Sequence, residues 1–198
     1  MAIKTVEESW KIIESWLKEM AKSDGNYSKV LDALNPPATD EQIKDLEQKL
    51  NGIELPKSYI QALKTHNGIA NETSFFNSGV SFLPIEDVNV QWKIWWDLLQ
   101  DGTFDDMDDS GVHIEGVQPV WYDAKWIPFT HNGGGDHLCI DLNPTKDGQI
   151  GQIIEMWHDD GDRSKLALSF EEYFSKFADE LVGGKYSVDE YGLIHEDD

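Results

Sequence analysis

Apolar residues in the first part of the chain recur in steps of three and four. Val6, Trp10, Ile13, Leu17 and Met20 form one such stripe, and Thr5 with Glu8 three residues on supplies a capping box, so a helix is predicted over Val6–Lys22. Ser23-Asp-Gly-Asn26 breaks it, and Tyr27–Leu34 has room for a short turn of helix before Asn35-Pro-Pro37. Thr39 with Gln42 repeats the capping box, and the stripe Ile43, Leu46, Leu50 runs out at Asn51-Gly52. A third helix opens with Pro56 at its first position, where a missing N–H costs nothing, and closes at Asn67-Gly68, with Tyr59, Ile60 and Leu63 toward the core. Further on, Glu86–Gln100 places Val88, Trp92, Trp95, Trp96 and Leu99 on one helical face, which reads as core. Ser169 with Glu172 caps a last helix whose face is Phe170, Tyr173, Phe174, Phe177 and Leu181, stopped by Gly183-Gly184.

The period changes between these helices. Trp126–Thr130, Leu138–Leu142 and Gly151–Trp157 are short apolar, β-branched and aromatic runs bounded by Gly, Asn, Pro or Asp, the punctuation of three successive strands. Val80–Ile85, Val120–Lys125 and Tyr191–Ile194 read as additional short strands. The fold class expected is α+β: an antiparallel β-sheet meander with helices packed around it, in a single domain of 198 residues without internal repeats.

Composition adds a core and a charge. Eight tryptophans supply much buried surface, each aromatic side chain covering on the order of 150–250 Å². The formal charge of −22 argues against nucleic acid and anionic membranes as partners, because both need a basic surface to neutralise them; a basic protein is its natural complement, and solubility alone is the other reading of the charge. The acidity concentrates between Asp101 and Pro119, in a stretch read as a loop that carries Asp105, Asp106, Asp108, Asp109 and Glu115. The single cysteine, Cys139, rules out an internal disulfide and sits in an apolar strand as an inert thiol. Charged residues follow Met-Ala-Ile-Lys-Thr5 at once, with no signal-peptide stretch, so a cytoplasmic location is expected.

Candidate chemistry weakens on inspection. Gly133-Gly-Gly-Asp136 lies between strands, where a hairpin turn needing positive φ accounts for it better than a phosphate cradle. Asp106-Met-Asp108-Asp-Ser110-Gly111 matches the first half of a calcium loop, but position twelve, which requires a bidentate Glu, is Val117. His131, Asp136, His137, His158, Asp159 and Asp160 offer metal-ligand residue types without the tight spacing of a zinc motif. Ser58, Ser169 and Ser187 sit in cap or turn contexts and no nucleophile elbow is present. No catalytic residue, metal or cofactor is therefore assigned.

Two stretches together carry a family likeness. Leu55-Pro-Lys-Ser-Tyr59 leading to His66-Asn-Gly68 resembles an L-P-x-x-Y…N-G signature. Trp126-Ile-Pro-Phe129, Gly133-Gly-Gly-Asp136, Cys139-Ile-Asp-Leu-Asn-Pro144, Gly151-Gln-Ile-Ile154 and His158-Asp159 look like the central block that follows it. This order of motifs, over about residues 40 to 182, is similar to the SUKH superfamily of yeast Smi and Knr cell-wall-assembly regulators and bacterial immunity proteins. The resemblance implies helices packed on one antiparallel sheet, motif residues with structural roles, and no catalysis. For bacterial members it implies stoichiometric binding and blocking of a cognate toxin, often a nuclease. For regulators of the yeast type it implies binding of endogenous partners. The N-terminal helix, the acidic stretch and the C-terminal tail stand outside the usual pattern. The expected contacts with a basic toxin are Asp105, Asp106, Asp108, Asp109, Glu115, Asp136, Asp159 and Asp160, with Trp121 or Tyr122 as exposed aromatic anchors. Oligomeric state is left open.

Overall fold

The computed structural model describes residues 2–70, 74–76, 79–107 and 114–197. Among these, the order is α1 (Val6–Met20), α2 (Asn26–Ala33), α3 (Asp40–Lys49), α4 (Lys57–Leu63), β1 (Ser81–Phe82) and α5 (Ile85–Gln100). Then come β2 (Trp126–Pro128), β3 (Thr130–His131), β4 (His137–Asp141), β5 (Gln152–Met156), β6 (Lys165–Ala167), α6 (Phe170–Val182), β7 (Tyr186–Val188) and β8 (Ile194–Glu196). The chain is thus α+β with antiparallel sheets.

The helices begin where their end signals stand. Both halves of the capping box form at Thr5 and at Thr39. At α6 the Ser169 hydroxyl accepts the Glu172 N–H, but the Glu172 carboxylate takes the N–H of Leu168 instead of Ser169, so that box closes one residue early. Pro56 and Pro84 each stand just before a helix and give their carbonyls to its first turn, to Ile60 and Val88. Pro84 also ends β1 after two residues, where a strand to Ile85 was expected.

The central sheet is the meander β2-β4-β5-β6, with Ile127 opposite Ile140 and Ile140 opposite Ile153. The strand β6 was not anticipated. At Phe129, between β2 and β3, the chain passes its hydrogen bonds from β4 to the β1 side: the Phe129 N–H donates to Leu138 O, and its carbonyl accepts from Leu83. Two further expected strands are corrected. Over 120–125 the backbone turns, with Asp123 O accepting the Trp126 N–H. Over 191–193 Asp189 Oδ1 accepts the N–H groups of Tyr191 and Leu193, with Gly192 at φ +83°, so β8 starts only at Ile194.

The sheet is buried on both faces. Ile127, Phe129, Leu138, Ile140 and Ile153 enter a main cluster that draws on residues from Val6 in α1 to Ile194 in β8. Trp126, Cys139, Ile154 and Met156 point the other way, into a second cluster with Trp95 of α5, Val117 and Tyr122. Every residue of β4 is buried, which is why its sequence reads as a near-continuous apolar run. The α5 stripe serves both clusters: Val88 and Trp92 belong to the first and Trp95 to the second, while the Trp92 indole donates to Ala124 O at 2.8 Å.

The His66-Asn67-Gly68 corner fixes α4 to the start of α5. Asn67 Oδ1 accepts the Ile85 N–H at 2.9 Å. Gly68 has φ +67°, and a Cβ there would lie 2.3 Å from Pro84 N and 2.4 Å from Leu83 C, both backbone atoms. Gly133 has φ +82° with nothing within 4 Å of the same position. Gly68→Ala is therefore expected to cost about 3 kcal/mol or more, and Gly133→Ala about 1 kcal/mol, the strain of positive φ alone. Urea unfolding of the two variants checks this, and equal losses would show that close approach is not the constraint at Gly68.

Candidate functional site

The β3–β4 hairpin is shaped by one side chain. Asn132 Oδ1 accepts the N–H groups of Gly134 and Asp136, and its amide donates to Asp136 Oδ2 at 2.6 Å. Gly133 and Gly135 take the positive φ angles this turn needs. The triple glycine thus makes a hairpin. Asp136, so oriented, accepts the backbone N–H of His158 at 2.9 Å and its ring Nδ1–H at 2.8 Å. The hairpin is thereby locked to the end of β5. Burial pushes the Asp136 carboxyl up, but the three N–H donors from His158 and Asn132 outweigh it, so the pKa lies below its ordinary 3.8. The hydrogen bond to Asp136 in turn raises His158 above its ordinary 6.5.

His137 is a core residue. Its Nδ1 lies 2.7 Å from Thr130 O, so that nitrogen carries the proton, while Thr130 Oγ1 accepts the Leu138 N–H at 2.7 Å. Burial pushes its pKa down to about 4, and the ring stacks on His131 at 5.1 Å. It stays neutral at pH 7.

A buried arginine holds the second flank. Arg163 is 3% exposed, and its guanidinium donates to the carbonyl oxygens of Asp160, Asp162 and Trp121. The guanidinium carbon stands 5.9 Å from the Trp121 ring centroid and 5.6 Å from that of Trp126, within cation–π range. Next to it, Lys165 Nζ donates to Glu115 O at 3.1 Å. Gln152, 0% exposed, donates to Asp141 Oδ2 at 2.8 Å and to Gly116 O at 2.9 Å. Burial raises the Asp141 pKa. The 114–123 segment is therefore bound to β5, β6 and the loop between them.

Several expected contact residues share this edge. Glu115, Trp121 and Asp160 meet through Lys165 and Arg163, while Asp159 and Asp136 flank His158. Asp105 and Asp106 are exposed on the turn after α5, tied in by Phe104, whose ring lies 5.8 Å from Trp95 and 6.2 Å from Tyr122. Asp108 and Asp109 lie outside the described residues. Of the two aromatics expected to be exposed, Trp121 is half-buried, and Tyr122 is buried because it packs between Trp95 and Trp126. Val117, the twelfth position of the calcium-like stretch, belongs to the second core cluster.

Three chemical readings can be tested on this geometry. Asp136, His158 and Asp159 have ligand atoms within 4.8 Å of one another, but Asp136 Oδ1 already accepts two N–H groups from His158, so the group fits a hairpin lock better than a metal centre. Ser187 meets His195 Nε2 at 3.2 Å on the exposed β7–β8 hairpin, yet its hydroxyl donates to Asp197, so the carboxylate does not orient a histidine base. Cys139 is wholly buried, which pushes its thiol far above the thiolate range. Sequence reasoning missed Arg163, the Asn132 hinge and a cavity of about 150 Å³ on the helix-facing side of the sheet, between Leu138, Glu155, Tyr173 and Tyr186. Among the described residues no helix is long and apolar enough to cross a membrane.

Two outcomes follow from these contacts. Arg163→Met keeps the length of the side chain and leaves its carbonyl partners without a donor. A loss of about 2–4 kcal/mol and faster amide exchange over 114–125 are expected. For the hairpin lock, the Asp136 contribution is present above 3.8 and fades as pH falls below it. That of His158 is complete below 6.5 and fades as pH rises through its raised folded value. An NMR titration should place His158 above 6.5 in the wild type and at or below it in Asp136→Asn.

Residues 37–176 match the SMI1/KNR4 family (SUKH-1). The chain is 28% identical to the cell wall biosynthesis/cell cycle regulator smi1 of Schizosaccharomyces pombe, over 93% of its own length and 38% of the relative's. It is 23% identical to the cell wall assembly regulator SMI1 of Saccharomyces cerevisiae, over 92% of its length and 42% of that protein. With the SPbeta prophage-derived uncharacterized protein YokK of Bacillus subtilis it shares 26% identity, over 94% of its length and 95% of the other. The chain thus spans about two fifths of the fungal regulators. The matched stretch contains the Leu55–Gly68 corner, the hairpin lock and the sheet, and on it the chain belongs to the SMI1/KNR4 (SUKH-1) family.

Proposed function

We infer that this chain is a stoichiometric protein-binding inhibitor that captures a basic protein toxin on its acidic edge, as an immunity protein does. The observation that carries this reading is the placement of charge. Asp105, Asp106, Glu115, Asp159 and Asp160 are all exposed, Glu115 and Asp160 fastened to one edge through Lys165 and Arg163 and Asp105 and Asp106 on the turn after α5, on a chain of net charge −22. The ion pairs of lysines with acidic residues lie elsewhere, within α1, on α3, α4 and α5, and at the C-terminal end. An exposed acidic field of this kind accelerates encounter with a cationic partner and competes with phosphate at a nuclease surface. The similarity to a prophage-derived bacterial protein along nearly the whole of both chains is in keeping with it. The reading gives the chain no catalytic role and places it in the cytoplasm with its toxin.

A second reading, a regulatory scaffold for endogenous partners, draws on the similarity to fungal cell-wall regulators over most of this chain. Gene context separates the two, since an immunity gene lies beside a toxin gene. The product of the neighbouring open reading frame is expected to co-purify. Its association rate constant at low salt should exceed about 10⁵–10⁶ M⁻¹s⁻¹ at least tenfold and fall steeply with ionic strength. Changing Asp105, Asp106, Asp159 and Asp160 together to Asn should lower that rate about tenfold with little effect on dissociation. An unaltered rate and salt dependence would remove this edge as the interface.

A further inference from the structure

The cavity on the helix-facing side of the sheet has a composition the acidic edge does not explain. It opens between the β4–β5 pair, α6 and the start of β7, with a volume of about 150 Å³. That is room for one long side chain. Leu138, Tyr173, Phe177 and Tyr186 form its apolar and aromatic walls, and Trp157, 40% exposed, stands on the rim.

Its charged groups are unequally satisfied. Lys176 and Lys185 both turn to Glu180, at 3.9 and 3.5 Å, and Lys185 also reaches Glu196 at 3.6 Å. Glu180 further accepts the Tyr186 hydroxyl at 2.9 Å. Asp136 is held by His158 and Asn132. Glu155 lies opposite Leu138 in the sheet, is partly buried, and its charge acts through space on the Tyr173 hydroxyl. Its carboxylate has no hydrogen-bond or ion-pair partner among the described residues, although two lysines line the same cavity. A carboxylate without a protein counter-ion in a cleft offers an incoming cation a charge-assisted hydrogen bond. The walls already receive one: Lys185 Nζ lies 5.2 Å from the Tyr186 ring centroid.

We propose that this cavity is a binding site for a single basic side chain of a protein partner, arginine or lysine, whose alkyl stem lies against Leu138 and Tyr173 and whose charged head pairs with Glu155. The site rests on the reading that the partner is basic and deepens it. The acidic edge governs the rate of encounter, and the cavity governs how long the complex lasts.

The test uses the full chain and three capped tripeptides, acetyl-Gly-Arg-Gly-amide, its Lys counterpart and its Leu counterpart, followed by amide NMR. The Arg or Lys peptide is expected to shift the amides of Leu138, Glu155, Trp157 and Tyr173 with saturation at millimolar concentration. The Leu peptide should bind at least fivefold more weakly, and Glu155→Gln should weaken the charged peptide by the same factor without changing the melting temperature. Shifts scattered over the acidic edge, equal binding of the Leu peptide, or an unchanged Glu155→Gln titration would each overturn the proposal. A basic toxin that binds with salt-dependent association, but whose dissociation rate is the same for wild type and Glu155→Gln, would sink the cavity and leave the acidic-edge reading standing. Localised binding of the Arg peptide with no basic partner found would do the reverse.

Discussion

A sheet that is apolar on both faces has to be covered twice, and that requirement governs most of what surrounds it. The helices and the C-terminal strands supply the first cover through the main cluster. The second is supplied by Trp95 at the far end of α5 and by irregular chain around Phe104, Ile114, Val117 and Tyr122. Irregular backbone used as a lid brings carbonyl groups that neither helix nor ladder satisfies. Arg163 meets one of them at Trp121, together with two carbonyls of its own loop at Asp160 and Asp162, and Gln152 meets another at Gly116. The choice of carbonyls over carboxylates matters for charge. Because Arg163 hydrogen-bonds to the main chain of Asp160, that residue stays exposed. A buried guanidinium would ordinarily pair with an acid directly; here its hydrogen bonds go to carbonyls, and the Asp160 and Asp162 carboxylates act on it through space.

The polar residues of the central block follow the same logic. Asp141 and Gln152 are both fully buried, and together they hold Gly116 against the sheet. A Cβ on Gly116 would come within 2.7 Å of Gly148 Cα, so the two loops meet at a point where only glycine fits. Asn132, Asp136 and His158 perform the corresponding service at the hairpin. In this chain the motif residues thus serve to fasten loops to strands.

How far the sequence revealed this depends on the range of the interaction. Helix starts were legible because a capping box is complete within four residues, as at Thr5 and Thr39. The core strands were legible because two-sided burial makes them continuously apolar. The strands β6 and β7, three residues each, carry no pattern that local reading distinguishes from loop, and they exist because β5 and β8 lie beside them. Val120–Lys125 failed as a strand for the converse reason: its apolar look comes from covering the second face, with the backbone turned by Asp123. At the site, charge was legible and geometry was not. Nothing near Arg163 in the sequence announces that it reaches Trp121, 42 residues away.

The cavity straddles the limit of the stretch that the chain shares with the family. Its sheet side, Leu138 and Glu155, lies within the stretch 37–176 that the chain shares with the family, but Phe177, Glu180, Lys185 and Tyr186 lie beyond it. A pocket with one wall in the shared scaffold and the other in a terminal segment can be re-lined without disturbing the sheet, because changes in that segment leave the register of β4 and β5 untouched. Glu180 and Lys185 belong to this outer wall, while Lys176, which pairs with the same Glu180, is the last residue of the shared stretch. On the proposed reading of the cavity, its selectivity can be altered at Glu180 on α6 or at Lys185 just before β7, at little cost to the core. On that reading the C-terminal segment is the part of the molecule where recognition and scaffold are most nearly independent.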